Sequence, residues 1–169
     1  ALVAGRSDPM MGAVLPSREA VAGLVPLGAG PDTATWQTAD RISFTMARGG
    51  LVISTRGLGA DLHAAEVGAT ADLIAEGRAG QVQRRQTYLD GLFRPTTLTF
   101  TCTVQPVGRE TLVLNGVSRA VLRIDEACAG AGTSFTNVYW RDSGSRLIRQ
   151  SIQWLGPDLG PVYLQRLID

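Results

Sequence analysis

Residues 97–104 of the chain read TLTFTCTV, and threonine alternates with a different, larger side chain throughout. In an extended strand this alternation places Leu98, Phe100, Cys102 and Val104 on one face and the four threonines on the other. One face is then buried and the other is exposed to solvent, which is typical of an antiparallel sheet. This stretch therefore predicts a mainly β, antiparallel fold.

The two cysteines are related through a hairpin whose first arm contains this strand. Asn115-Gly116 is a strong two-residue turn signal, and a hairpin turning there places Cys102 opposite Ala129. One extra residue in the first arm shifts that partner to Cys128. A bulge is expected at Pro106-Val107-Gly108, because proline donates no ladder hydrogen bond. We predict a Cys102–Cys128 disulfide and an exported protein; the alternative is two buried free thiols in a reducing compartment.

Shorter alternating segments on both sides of the hairpin predict further strands. Residues 41–48 and 51–56 are joined by Gly49-Gly50, which is a two-residue hairpin turn. Residues 142–145 form a second predicted turn between two later strands. The strands on either side of this second turn are predicted at residues 135–141 and 146–155. A final strand is predicted at residues 162–168.

The remaining segments have weaker patterns. The Ala-rich stretch 57–77 has helical spacing and predicts one or two short helices, with His63 as a surface or packing residue in one of them. Residues 17–27 are compatible with a short capped helix or with a strand. We interpret residues 1–16 as a leader or an edge segment, and residues 17–169 as a single β-rich domain.

Length and composition limit the class of protein. The chain has 169 residues, 44% of them hydrophobic and 18% charged, with 20 glycines, which is a turn-rich composition for one globular domain. All 16 basic residues are arginine, so Schiff-base and phosphate-loop lysine chemistry are excluded. A single histidine excludes most histidine-based metal sites, and a net charge of +1 argues against nucleic acid as a partner. No apolar run approaches the roughly 20 residues of a membrane span.

Charged residues are assigned structural roles. Glu126 lies on the inward face of its strand near the second cysteine, and an inward carboxylate needs a partner. Arg123 and Arg149 are the candidate partners, and a ligand contact is the alternative role. The adjacent Arg84 and Arg85 are interpreted as residues of a solvent-exposed face. No catalytic, cofactor-binding or metal-binding residues are expected.

Aromatic residues are concentrated near the end of the chain. Tyr139 and Trp140 are adjacent in a predicted strand, so one belongs to the core and the other is exposed. An exposed tryptophan beside arginine and glutamine side chains is suited to stacking a sugar ring or holding a partner. The alternative is that the tryptophans cover the core of the sheet. The candidate binding surface consists of Tyr139, Trp140, Arg149, Gln153 and Trp154.

Two segments carry a resemblance to a known family. Residues 134–168 contain an Asn-x-Tyr-Trp stretch, an acidic turn and a strand ending Ser-x-Gln-x-Leu-x-Pro. Residues 35–62 contain a tryptophan, two strands joined by a Gly turn, and then Thr-Arg-Gly-Leu and Asp-Leu. Both patterns resemble the group 4 capsule polysaccharide lipoprotein family, the YjbF/GfcB-type proteins, over about residues 34–168. The matching residues are Asn137, Tyr139, Trp140, Asp142, Ser151, Gln153, Leu155 and Pro157, with Thr55, Arg56, Gly57, Leu58, Asp61 and Leu62 upstream.

The resemblance implies a strongly curved sheet or half-barrel and a non-enzymatic accessory protein of capsule or exopolysaccharide assembly and export. Its partners would be the polysaccharide or the export proteins. It implies a periplasmic protein anchored to the inner face of the outer membrane through an N-terminal lipid. The lipobox cysteine that carries such a lipid is not in the sequence, so it was trimmed before Ala1 or the protein is periplasmic without an anchor.

Two other functions are kept as alternatives. A lipid- or lipoprotein-handling carrier would hold acyl chains in an apolar half-barrel, with residues 57–77 as a lid. A glycan hydrolase would need two carboxylates about 5–10 Å apart in a cleft. A wide apolar cavity would favour the carrier, whereas a shallow groove with an exposed Trp140 or Trp154 would favour binding of glycan or an export partner.

Overall fold

A computed structural model describes residue 5 and residues 7–47, 49–90 and 92–169, and within these residues twelve strands form one antiparallel sheet. The first six strands are β1 (Met10–Leu15), β2 (Ala20–Ala29), β3 (Thr33–Gln37), β4 (Ser43–Ala47), β5 (Leu51–Arg56) and β6 (Leu62–Glu66). A helix, α1 (Gly68–Glu76), separates them from β7 (Gly80–Leu89), β8 (Pro95–Leu114), β9 (Val117–Gly130), β10 (Thr133–Asp142), β11 (Ile148–Trp154) and β12 (Pro161–Ile168). A short 3-10 turn, Pro16–Arg18, follows β1.

The sheet curves until its two end strands lie close together. The strand order is β5-β4-β3-β2-β1-β12-β11-β10-β9-β8-β7-β6, so β5 and β6 are the ends. Asp61 accepts hydrogen bonds from the Thr55 hydroxyl (2.8 Å) and the Gly57 amide (3.0 Å), and the Leu62 amide donates to Thr55 Oγ1 (3.0 Å). These side-chain contacts link β5 to β6 in a nearly closed, barrel-like arrangement, which confirms the predicted curved antiparallel sheet.

The long hairpin forms with the predicted register. Asn115 and Gly116 have φ values of 49° and 79°, the left-handed conformation that a two-residue hairpin turn requires at both positions. The register between β8 and β9 shifts between Pro106 and Gly108, and above this bulge Cys102 lies opposite Cys128. The predicted turn, bulge and cysteine pairing are all confirmed.

The other predicted strands are present with small changes of boundary. The prediction at residues 41–48 corresponds to β4, and its last residue lies outside the described residues. The ambiguous segment 17–27 forms the end of the 3-10 turn and most of β2, so the strand alternative holds.

The predicted helical segment 57–77 requires a correction. Residues 57–61 form a loop, β6 follows, and only Gly68–Glu76 is helical. His63 therefore lies in a strand, where it is exposed. The physical reason is tertiary: β6 pairs with β7, and this pairing together with burial of Leu62 outweighs the helix propensity of the alanines.

The N-terminal segment also differs from its interpretation. β1 pairs with β2 on one side and β12 on the other, so Met10–Leu15 is an interior strand and not an edge. Residues 1–4 and 6 of the proposed leader lie outside the described residues. Six residues of alternation around a glycine were too short a signal to identify this strand.

Apolar side chains form three clusters inside the sheet. The largest apolar cluster lies between β1, β3, β4 and β12. A second cluster includes Ile74 of α1 and Val67, the residue before the helix. A third cluster lies at the cysteines. No helix in the described part of the chain is long and apolar enough to cross a membrane.

Candidate functional site

A buried carboxylate organises the polar part of the interior. Glu126 on β9 is fully buried and accepts hydrogen bonds from four side chains. Arg84 Nη1 donates to both oxygens (3.2 and 3.1 Å), and the Thr70 hydroxyl of α1 donates to Oε1 (2.9 Å). Asn137 Nδ2 (2.8 Å) and the Tyr139 hydroxyl (2.7 Å) donate to Oε2. Helix α1 is thereby tied to β7, β9 and β10.

The partner of Glu126 differs from the expectation. It is Arg84, which is 1% exposed, and neither Arg123 nor Arg149. Only Arg85 of the supposed solvated pair is exposed. Burial raises the pKa of Tyr139 well above its ordinary value, and the adjacent carboxylate raises it further, so this hydroxyl keeps its proton and donates. The cluster therefore has a structural role that leaves Glu126 no open position for a ligand.

The predicted disulfide is present between Cys102 and Cys128. Trp154 stacks on Phe135 beside it, with ring centroids 4.3 Å apart, and Phe100 meets the Trp154 ring edge-on at 5.6 Å. Trp154 is therefore a packing residue of this cluster. The cysteine sulfurs lie near Glu126, but they are bonded to each other and offer no thiolate to a metal.

Gln153 connects β11 to the β4–β5 hairpin across the interior. Its Nε2 donates to Gly50 O and to Ser151 Oγ, both at 2.9 Å, and its Oε1 accepts from the Val52 amide at 2.8 Å. Both N–H groups of Nε2 and the Oε1 oxygen therefore have partners. Gln153 is thus part of the internal support of the sheet and is not exposed.

Arg149 is also internal. Its Nε donates to Asp142 Oδ2 at 2.9 Å, and its Nη1 contacts Asp169. Asp142 Oδ1 accepts from the Gly144 and Ser145 amides, both at 2.9 Å, which fixes the turn between β10 and β11. Burial raises the pKa of Asp142, but these amide hydrogen bonds and Arg149 lower it more, so the net pKa is about 2.

This depressed pKa predicts a pH-dependent effect. Asp142→Asn is expected to lower the free energy of unfolding by about 2 kcal/mol at pH 7. The carboxylate stabilises the fold fully above its ordinary pKa of 3.8, and this contribution is lost as pH falls to about 2. Urea unfolding of both proteins at pH 7, 4 and 2.5 measures it. The difference between them should shrink over the last interval; a difference that is constant with pH would contradict the assignment.

Trp140 faces outward from β10, opposite to its buried neighbour Tyr139. Its indole Nε1 donates to Glu110 Oε2 at 2.7 Å. The guanidinium carbon of Arg123 lies 5.8 Å from the ring centroid, and Arg123 is held by both oxygens of Asp125 at 2.9 and 3.1 Å. The half-buried indole is therefore fixed in position by charged neighbours before any ligand arrives.

A row of polar side chains continues from Trp140 across the outer face. Gln150 is the cross-strand neighbour of Trp140, and Gln165 is the neighbour of Gln150, with their amides 3.1 Å apart. Gly12 follows on β1 and leaves a shallow groove of about 350 Å³ beside the exposed Tyr163. We call the set Glu110, Arg123, Trp140, Gln150 and Gln165 the Trp140 surface.

The structure thus corrects the predicted binding surface. Tyr139, Arg149 and Gln153 are buried. They occupy inward positions of β10 and β11, where their polar groups are hydrogen-bonded inside the sheet. The extra residue in the β10–β11 register turns Arg149 toward Asp142. Trp154 packs on phenylalanine, as the core alternative expected. Of the five, Trp140 alone belongs to the outer surface. Its neighbours were missed, although hairpin register and strand alternation place them beside it.

The fold and site define a disulfide-bonded, antiparallel sheet protein with apolar clusters in its interior and a row of polar side chains around Trp140 on its outer face. The chain belongs to the family described as group 4 capsule polysaccharide lipoprotein gfcB, YjbF, whose model matches residues 6–167. The matched region begins at residue 6, upstream of the motif-bearing residues 34–168, and so it includes β1.

The fold is shared with a solved structure. The crystal structure of the hypothetical lipoprotein YmcC from Escherichia coli (K12) matches with a TM-score of 0.85 and 19% sequence identity. The match covers 99% of this chain and 87% of that one. No match was found among curated proteins.

Proposed function

We propose that this protein is a non-enzymatic accessory factor of capsule or exopolysaccharide assembly and export, and that it binds the glycan on the Trp140 surface. The observation that carries the proposal is the fixed, half-buried indole of Trp140 between Glu110 and Arg123 on the outer face. An aromatic ring held in place binds without loss of side-chain freedom. The amides of Gln150 and Gln165 supply donors and acceptors for sugar hydroxyl groups along the same row.

The residues that carry the family motifs support this choice of surface. Most of them have internal roles. Asn137 and Tyr139 donate to Glu126, and Gln153 contacts the β4–β5 hairpin and donates to Ser151. Trp140 is the motif residue on the outer face of β10, and the fold does not need it to fill the core. Its position therefore favours a contact with another molecule.

The carrier alternative lacks a comparable observation. Holding acyl chains requires a wide apolar cavity. The cavity beside α1 has a volume of about 450 Å³, and its lining includes the polar residues Asp72, Ser145 and Arg146 as well as apolar ones. For the hydrolase alternative, the carboxylates in contact with the Trp140 surface are Glu110 and Asp125. Both are hydrogen-bonded to Trp140 or Arg123 on the outer face. Binding is therefore the function that the geometry supports best.

The proposed location is the periplasm, at the inner face of the outer membrane, with a lipid anchor encoded upstream of the sequence. The disulfide supports an oxidising compartment, and the family's description as a lipoprotein supports the anchor. Fractionation of cells that carry the whole gene tests this location. Recovery with the outer membrane is expected, and recovery in the cytosol would contradict it.

The binding proposal predicts that Trp140→Ala weakens binding of the host organism's purified exopolysaccharide about tenfold, because the stacking contact is lost. Isothermal titration calorimetry measures the affinity, and the thermal midpoint checks that the variant is folded. Phe93→Ala, which removes an 83% exposed aromatic from the β7–β8 loop, is the matched control and should bind normally. Equal affinity of Trp140→Ala and the wild type would refute the proposal; a purified export protein that binds in place of the glycan would redirect it to a protein partner.

A further inference from the structure

A pocket rich in arginine lies next to the Trp140 surface. It has a volume of about 220 Å³ and is formed where the β8–β9 turn meets the start of β11 and the end of β12. Its principal lining residues are Asn115, Arg119, Arg149, Arg166, Leu167 and Asp169.

The arginines outnumber the carboxylates that face them. Arg149 contacts Asp142 and Asp169, and Arg119 Nη2 donates to Asp169 at 3.2 Å. Arg166 has no carboxylate within ion-pair distance in the described residues, and its Nε is buried without a hydrogen-bond partner there. The guanidinium carbon of Arg166 lies 5.5 Å from the centroid of the Trp36 ring. The lining of the pocket therefore has three arginines and one aspartate, Asp169.

Asp169 shows which ligand chemistry the pocket accepts. Its side-chain carboxylate is 47% exposed, follows the last residue of β12, and is shared by Arg119 and Arg149. Guanidinium groups pair best with planar carboxylates through paired hydrogen bonds. Because the Asp169 carboxylate is partly open to solvent, an external carboxylate can compete with it for the same two guanidinium groups.

The pocket and the Trp140 surface are continuous. Leu167 lines both this pocket and the shallow groove beside Gln150 and Gln165. A polymer on the row from Trp140 to Gln165 therefore passes beside the arginines.

We propose that the arginine pocket binds a carboxylate of an acidic polysaccharide, such as that of a uronic acid residue, by displacing Asp169. This inference rests on the proposed function, because it assigns the chemical class of the glycan that lies on the Trp140 surface. Asp169 acts as an internal competitor, so its removal and the removal of an arginine have opposite effects on affinity.

The test compares two forms of the host exopolysaccharide by calorimetry: the native polymer and the same polymer with its carboxyl groups reduced to alcohols. Arg119→Gln should weaken binding of the native form about tenfold, and Asp169→Asn should strengthen it several-fold. Neither variant should change binding of the reduced form. Arg94→Gln, which removes an arginine that is 71% exposed in the β7–β8 loop, is the matched control and should change neither.

The outcomes separate the two proposals. If Trp140→Ala weakens binding of both forms while Arg119→Gln and Asp169→Asn alter neither, the glycan role stands and the carboxylate site is refuted. An effect of Arg119→Gln that persists on the reduced polymer, or a host polymer without carboxyl groups, also refutes the carboxylate site. If no form binds to the wild type, both proposals fail.

Discussion

Glu126→Gln is expected to lower the free energy of unfolding by about 3–5 kcal/mol, because it leaves the buried charge of Arg84 without a counter-charge. Glutamine has nearly the same size as glutamate, so the change removes the charge without opening a cavity. It also places an amide NH2 among donors that now point at a carboxylate, including Asn137 and Tyr139. Few surface contacts have effects of this size, since exposed ion pairs contribute about 0–1 kcal/mol.

Urea unfolding measures this effect, with Glu66→Gln as the matched control. Glu66 lies 3.7 Å from Arg85, and both side chains are more than half exposed. Its replacement should change the free energy of unfolding by less than about 1 kcal/mol. The double variant Arg84→Met/Glu126→Leu removes both charges and should lose less stability than Glu126→Gln alone. A loss below about 1 kcal/mol in Glu126→Gln would show that the buried pair does not support the fold as described.

Breaking the disulfide is the second large expected effect. Replacing Cys102 and Cys128 together by alanine should lower the free energy of unfolding by about 3 kcal/mol, because the unfolded chain is no longer closed into a loop by cysteines 26 positions apart. The bond also lies beside the stacked rings of Phe135 and Trp154, so the folded state loses packing at the same place.

Unfolding in urea with and without a thiol reductant provides the control. Reductant should destabilise the wild type by a similar amount and leave the double alanine variant unchanged. An unfolding midpoint of the wild type that does not respond to reductant under conditions that reduce the unfolded chain would contradict the predicted contribution of the bond.

The parts of the fold that follow from local patterns were predictable from the sequence. The alternation in residues 97–104, the turn at Asn115-Gly116 and the proline-induced bulge together determine the β8–β9 register. That register in turn brings Cys102 and Cys128 together. Each of these steps depends on residues within a single hairpin, where backbone geometry limits the options.

The strand β7 was not identified from the sequence because its inward face is not apolar. In β7 the inward positions include Arg84, Gln86 and the half-buried Tyr88, so the hydrophobic alternation that marks a strand is weak. These polar side chains have hydrogen-bond partners far away in the sequence, as Arg84 has in Glu126. A single sequence does not reveal such pairing. The same difficulty affects the candidate site: Arg149 and Gln153 are polar side chains with internal partners, and composition alone suggested a surface.

The role of the Trp140 surface in polysaccharide export is tested most directly by measuring polysaccharide pools in cells. Surface and cell-retained pools are compared in a wild-type strain, a deletion strain and a strain that carries Trp140→Ala at a matched protein level, with Phe93→Ala as control. We predict that the deletion and Trp140→Ala both reduce the surface pool and leave polysaccharide inside the cell, whereas Phe93→Ala behaves as wild type. A normal surface pool in the Trp140→Ala strain would contradict the role of this surface, and unchanged pools in the deletion strain would contradict the role in export.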